Sequence, residues 1–178
     1  MTHLTPDNVT VVLQTLLPAL DREHQTTKRV IEAIPDAKVD YAPDSISKSA
    51  IDLAWHIVTA ENRFLEATIN GAFDLAPMPR PDSMRTGDAV NRWYAERYAR
   101  NAAELQKIGP DKLVKTVDFR GMMQLPAVAY LDFALRHSIH HRGQLSMYLR
   151  PMGAKVPSIY GESYDARVAR EQGAAANA

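Results

Sequence analysis

The chain has no cysteine among its 178 residues. That absence removes disulfides, thiolate metal ligands and a protein-borne thiol nucleophile, so any metal chemistry has to use His, Asp or Glu. Net charge is lacking too, with 21 Lys+Arg against 21 Asp+Glu. No long-range field draws such a chain to nucleic acid or to an anionic membrane, and neither is expected as a partner. No apolar run approaches the roughly 20 residues of a membrane span. The first ten residues also lack the basic start and apolar stretch of a secretion signal. The expectation is a soluble, cytoplasmic protein. What is present is ordinary: 46% hydrophobic and 24% charged residues, enough apolar side chains to bury one core and too many for a disordered chain. A single domain is expected over residues 1–172, with a flexible tail at 173–178.

Helical signals dominate the pattern. Thr5-Pro6 reads as an N-cap followed by proline at the first helical position. Pro18 is expected to interrupt that segment, leaving a longer helix over 17–34 that Pro35 ends. A second helix begins near Ser49, with Asp52 in a capping-box-like position, and runs to Asn70 before Gly71. Its apolar stripe is Leu53, Ile57, Ala60 and Phe64. A third fits 88–108, closed by Gly109-Pro110, with Val90, Trp93, Tyr94, Tyr98, Leu105 and Ile108 at helical spacing. The three aromatics at 93, 94 and 98 fit a core or dimer-interface face. Residues 112–125 show no helical stripe and read as extended loop. Pro126 is expected to start a fourth long helix that ends near Arg150, followed by an ordered loop over 155–164. These segments predict an all-α fold, an antiparallel four-helix bundle with a long crossover and irregular connections.

Chemistry concentrates on the fourth helix. Three of the six histidines fall in the string from Arg136 to Gln144. His137 and His141 are four apart, so their side chains share a helix face one turn apart, where both can grip one ion. His140 points about 100° away and reads as a surface group or a neighbour of the site. A third ligand has to come from another helix, and His56 lies on the apolar stripe of the second, where an imidazole needs a partner. Three neutral imidazoles suit zinc, nickel, copper or iron and leave a coordination position open. The metalloprotease pattern His-Glu-x-x-His fails because Ser138 follows His137, and the Glu-x-x-His of di-iron bundles does not occur. Among the neighbours, Asp52 either orients His56 or caps its helix. Gln144 and Tyr148 continue the metal face as substrate contacts or packed core. Tyr160 is expected at a pocket rim, and Arg142 to pair with a carboxylate such as Glu23.

The run from His137 to Arg150 reads His-Ser-Ile-His-His-Arg-Gly-Gln-Leu-Ser-Met-Tyr-Leu-Arg, and Met152-Gly153 and Val156-Pro157-Ser158-Ile159-Tyr160-Gly161 follow it. With Leu53-Ala54-Trp55-His56-Ile57 upstream, it resembles the damage-inducible DinB-like proteins of the DinB/YfiT-like superfamily, over roughly residues 17–165. The resemblance implies a four-helix bundle, a metal triad at His56, His137 and His141, and pairing as a homodimer. It also implies relatives that act as S-transferases or isomerases with a low-molecular-weight thiol such as bacillithiol or mycothiol.

The expected activity is that of a metal-dependent enzyme with a three-histidine site, a thiol-dependent S-transferase acting on a small molecule in stress or detoxification. Its cofactor would be a divalent ion, zinc or nickel before iron or copper. The alternatives are a metal-dependent hydrolase and a non-catalytic metal- or ligand-binding stress protein.

Overall fold

The computed structural model describes residues 4–176. Helix α1 spans Pro6–Glu32, α2 Ala50–Asn70, α3 Gly87–Leu105, a short α4 Pro110–Leu113, α5 Ala129–Leu149 and α6 Tyr164–Ala176, with strands β1 Thr116–Phe119 and β2 Met123–Pro126 between α4 and α5. Helices α1, α2, α3 and α5 form the expected bundle. Both α1 and α2 pack on α3 and on α5, so α1 and α2 face each other across a diagonal.

Two apolar clusters fix the helix directions. One gathers Val30 and Ile31 at the end of α1, Ile51 and Ala54 at the start of α2, Val90 and Tyr94 at the start of α3, and Leu145 and Leu149 at the end of α5. The other gathers Val9 and Leu20, Phe64 and Leu65, Tyr98 and Leu105, and Tyr130 and Leu131 from the opposite helix ends. The run is therefore up, down, down, up, and α2 and α3 are parallel neighbours. Their connection, 71–86, has to travel the length of the bundle and is the long crossover. It lies along α2: Arg63 donates to the Ala76 carbonyl, the Trp55 indole N–H to that of Met78, and Arg80 Nε to Asp52. Trp55 and Trp93 meet beneath it with centroids 4.7 Å apart.

Several local expectations change. Pro18 does not interrupt α1, which continues through it for 27 residues. Proline inside a helix costs about 3 kcal/mol. Here Pro18 is exposed, and the helix is held on either side by Val9, Leu20, Val30 and Ile31 in the core. Residues 112–125 are not a loop: α4 is followed by a β-hairpin with Val117 opposite Leu125 and Phe119 opposite Met123. Three residues, 120–122, join the strands: Arg120 (φ 58°) and Gly121 (φ 69°) are both left-handed, the Met122 N–H donates to the Phe119 carbonyl, and Asp118 accepts from the Gly121 N–H. Val117 is buried while Thr116 and Asp118 are exposed, a strand period hidden by its four-residue length. Pro126 closes β2, so α5 starts at Ala129. Beyond the loop, residues from Tyr164 form α6, and the expected tail is helical as far as Ala176, with 177–178 outside the described residues. No helix among the described residues is long and apolar enough to cross a membrane.

Candidate metal centre

Helices α2 and α5 pack most extensively of all pairs in the bundle. Ser49 starts α2 by accepting from the Asp52 N–H, which brings His56 onto the second turn facing α5. On α5 the four-residue spacing of His137 and His141 turns both rings to the same seam, with centroids 4.4 Å apart. His56 stands 5.0 Å from the first ring and 4.5 Å from the second. One nitrogen of each of the three lies within 4.8 Å of the others, in half-buried surroundings.

The donor set fits a divalent ion. His56 Nε2 and His141 Nε2 are 3.2 Å apart, close to the about 3.3 Å separating two imidazole nitrogens on a tetrahedral centre with 2.0–2.1 Å bonds. His141 Nδ1 lies 2.6 Å from Gln144 Oε1. Since that oxygen only accepts, Nδ1 carries the proton and Nε2 keeps its lone pair for a ligand role. His137 Nδ1 is buried with no hydrogen-bond partner among the described residues, so that polar atom is unsatisfied by the protein. Burial holds His56 and His137 each down to about 4, helped by their histidine neighbours, and lowers His141 as well. All three are neutral at physiological pH, the form that binds metal.

The remaining sequence candidates divide. Gln144 orients His141. His140 is exposed, its ring 4.8 Å from that of His141. Asp52 does not reach His56: its carboxylate is held by the Ser49 hydroxyl at 2.7 Å and by Arg80 at 2.6 Å, so it belongs to the helix cap and the crossover. Tyr148 is half-buried against Tyr41 in the core. Tyr160 is not at the rim of the histidine cavity. The Arg142 guanidinium faces α1, a different side of α5 from His141, and draws the Tyr160 hydroxyl to 2.7 Å, while that hydroxyl donates to Glu23. The expected Arg142–Glu23 ion pair forms at 2.5 Å.

A polar layer between the two apolar clusters was missed. Glu61 on α2 is only 2% exposed. Its two oxygens accept from Tyr94 Oη and Ser138 Oγ, each at 2.6 Å. Burial pushes its carboxyl up to about 7 against the pull of those two donors and of Arg142. His24, stacked on Tyr98 at 3.9 Å, has Nδ1 3.9 Å from Glu61 and is held down to about 3, chiefly by burial. Ser138 sits next to His137, so Glu61 clamps the segment of α5 that carries the triad. The available signal was position: Glu61 follows Leu53 and Ile57 on the apolar stripe, and His24 follows Leu20 on that of α1.

Residues 6–172 match the DinB family. The chain belongs to that family. Among its relatives, the uncharacterized protein YjoA of Bacillus subtilis (strain 168) is 26% identical over 71% of this chain and 82% of its own. The uncharacterized protein YrdA of the same strain is 24% identical over 84% and 88%. A DinB-like protein from Bacillus cereus ATCC 10987 superposes with a TM-score of 0.71 at 24% identity, covering 83% of this chain and 97% of the other. A mycothiol-dependent maleylpyruvate isomerase superposes with a TM-score of 0.52 at 14% identity, and this chain spans 65% of its length. These superpositions establish a shared fold.

Proposed function

We propose that this DinB family protein is a metal-dependent enzyme in which His56, His137 and His141 hold a divalent ion, zinc or nickel before iron or copper, and that, as an S-transferase, it joins a low-molecular-weight thiol through its sulfur to a small electrophile in stress or detoxification. The observation that carries the reading is the set of three converging neutral imidazoles with no fourth protein ligand among the described residues. When bound, the ion supplies Lewis acidity that lowers the pKa of a thiol or water at the open position. A chain without cysteine can do thiol chemistry only if the sulfur arrives on another molecule, and the fold is shared with a mycothiol-dependent enzyme. A reducing cytoplasm, where such thiols persist, is the matching compartment. Homodimer formation belongs to the same proposal.

This chain's own residues set the conditions. Gln144 keeps the Nδ1 proton on His141 and turns Nε2 to the seam. Glu61 and Ser138 fix the rotation of α5 against α2. A cleft of about 310 Å³ opens beside His56, bounded by Trp55, Thr59 and the crossover residues Met78 to Arg80, large enough for a small molecule.

Elemental analysis of the purified protein tests the metal reading. About one equivalent of metal is expected in the wild type and almost none in a His137→Ala/His141→Ala variant; equal, low metal in both under metal-replete growth sinks the triad. For the transferase reading, the visible spectrum of cobalt-loaded protein should change on titration with mercaptoethanol. A spectrum indifferent to thiol leaves the metal site standing and removes the transferase.

A further inference from the structure

The cleft beside His56 carries a charge pattern of its own. Three ionisable side chains other than the histidine line it: Lys48, Asp52 and Arg80. Asp52 is already neutralised, accepting from Ser49 Oγ and from Arg80 Nε. Arg80 also donates from Nη1 to the Met84 carbonyl, which leaves Nη2 without a partner among the described residues. Lys48 is exposed and makes no ion pair or hydrogen bond among the described residues, yet its charge is felt at His56, His141 and Asp52 together. The mouth of the cleft thus holds two cations against one committed carboxylate, in a chain whose overall charge is zero. The three imidazoles are neutral, so a divalent ion held by them would add two uncompensated positive charges beside the cleft, which His56 lines. The other polar groups are spent internally: the Trp55 indole N–H on Met78, and the Thr59 hydroxyl on the Trp55 carbonyl.

We propose that Lys48, with the free edge of the Arg80 guanidinium, binds a carboxylate of the small molecule whose reacting group lies at the three histidines, so that the enzyme selects anionic substrates. The inference rests on the metal-enzyme reading but concerns residues outside the triad. Arg80 is pinned to the crossover and to α2, which makes it the fixed half of the anion site; Lys48, just before the N-cap of α2 and exposed, is the half without a partner among the described residues. A lysine paired at an open cleft contributes modestly and is screened by salt, so the expected preference for an anion over its neutral analogue is about fivefold at low ionic strength.

Isothermal titration with succinate and with succinamide, on wild-type, Lys48→Gln and Lys48→Arg proteins, tests this in zinc-loaded and in EDTA-treated form. Succinate should bind about fivefold more tightly than succinamide to the wild type and to Lys48→Arg, and equally to Lys48→Gln, with the preference lost in 0.5 M NaCl. The same comparison with 3-mercaptopropionate and 3-mercaptopropanol tells whether the carboxylate belongs to the thiol partner or to the other substrate; a Lys48-dependent preference in either pair supports the proposal. A succinate preference that survives Lys48→Gln but disappears with EDTA places the carboxylate on the metal, and overturns the anion site while sparing the triad. No preference in any form also overturns it. If the protein takes up no zinc, the triad fails and the EDTA-treated arm alone decides the anion site.

Discussion

Replacing Glu61 by Gln should make the stability difference between variant and wild type depend on pH, and the structure gives its size. In the unfolded chain Glu61 titrates near 4.5 and in the fold near 7. The folded state therefore binds the proton more tightly, and this carboxyl's contribution to stability falls as pH rises from 4.5 to 7. At about 1.4 kcal/mol per pH unit the full loss is about 3 kcal/mol, of which about 2.5 kcal/mol falls between pH 5 and pH 8. Gln cannot ionise and escapes that loss. It offers one acceptor where Glu61 offers two, so either Tyr94 or Ser138 must turn its hydroxyl, at about 1 kcal/mol. The two proteins should be close to equal at pH 5, with Glu61→Gln about 2 kcal/mol more stable at pH 8. His24, His56 and His137 act in the opposite sense: with folded values below 6.5, they withdraw stability as pH falls below 6.5. Both proteins carry them, so their contributions cancel in the difference. Urea unfolding at pH 5, 6.5 and 8 with EDTA present reads the quantity directly. A difference constant to within 0.5 kcal/mol across that range refutes the view that buried Glu61 holds its proton near neutrality.

Two further changes probe the frame of the site. Gln144→Leu removes the acceptor for His141 Nδ1, so metal affinity in a chelator competition should drop by about 10- to 100-fold with an unaltered far-ultraviolet circular dichroism spectrum; undiminished affinity means Gln144 does not orient that ring. Gly87→Ala puts a Cβ 2.5 Å from the Ile31 carbonyl oxygen where α3 begins beside α1, and should cost about 1–3 kcal/mol in chemical denaturation; wild-type stability would mean the two helices separate freely there.

The bundle was legible because its long helices advertise themselves by period, cap and breaker. Ser49 and Gly71 bound α2 within a residue of where the sequence put them. The histidines were legible for a related reason, since a four-residue spacing is a statement about one helix face. What escaped was whatever depends on partners distant in sequence. Whether Pro18 breaks α1 is decided by burial at Val9 and Leu20 on either side of it. A four-residue strand such as β1 has too few positions to display a period and exists because β2 pairs with it. Tyr160 lies in a loop whose sequence does not say which side of α5 it returns to; the answer is set by Arg142, whose buried guanidinium needs acceptors on α1 and gathers the loop to itself.

Glu61 shows where the same reasoning can be extended. A carboxylate on an apolar stripe is hard to see in sequence because charged residues usually face water and a stripe shows itself by its majority. Buried acids survive only where donors are supplied, so the sequence question to ask of Glu61 was which helices offer them. Tyr94 and Ser138 lie on the inward faces of α3 and α5, and the second of these adjoins a triad histidine. The polar layer and the histidine seam are thus two sides of one turn of α5. A change in the rotation of that turn alters both, which makes the stability of the layer and the geometry of the three histidines a single property of the bundle.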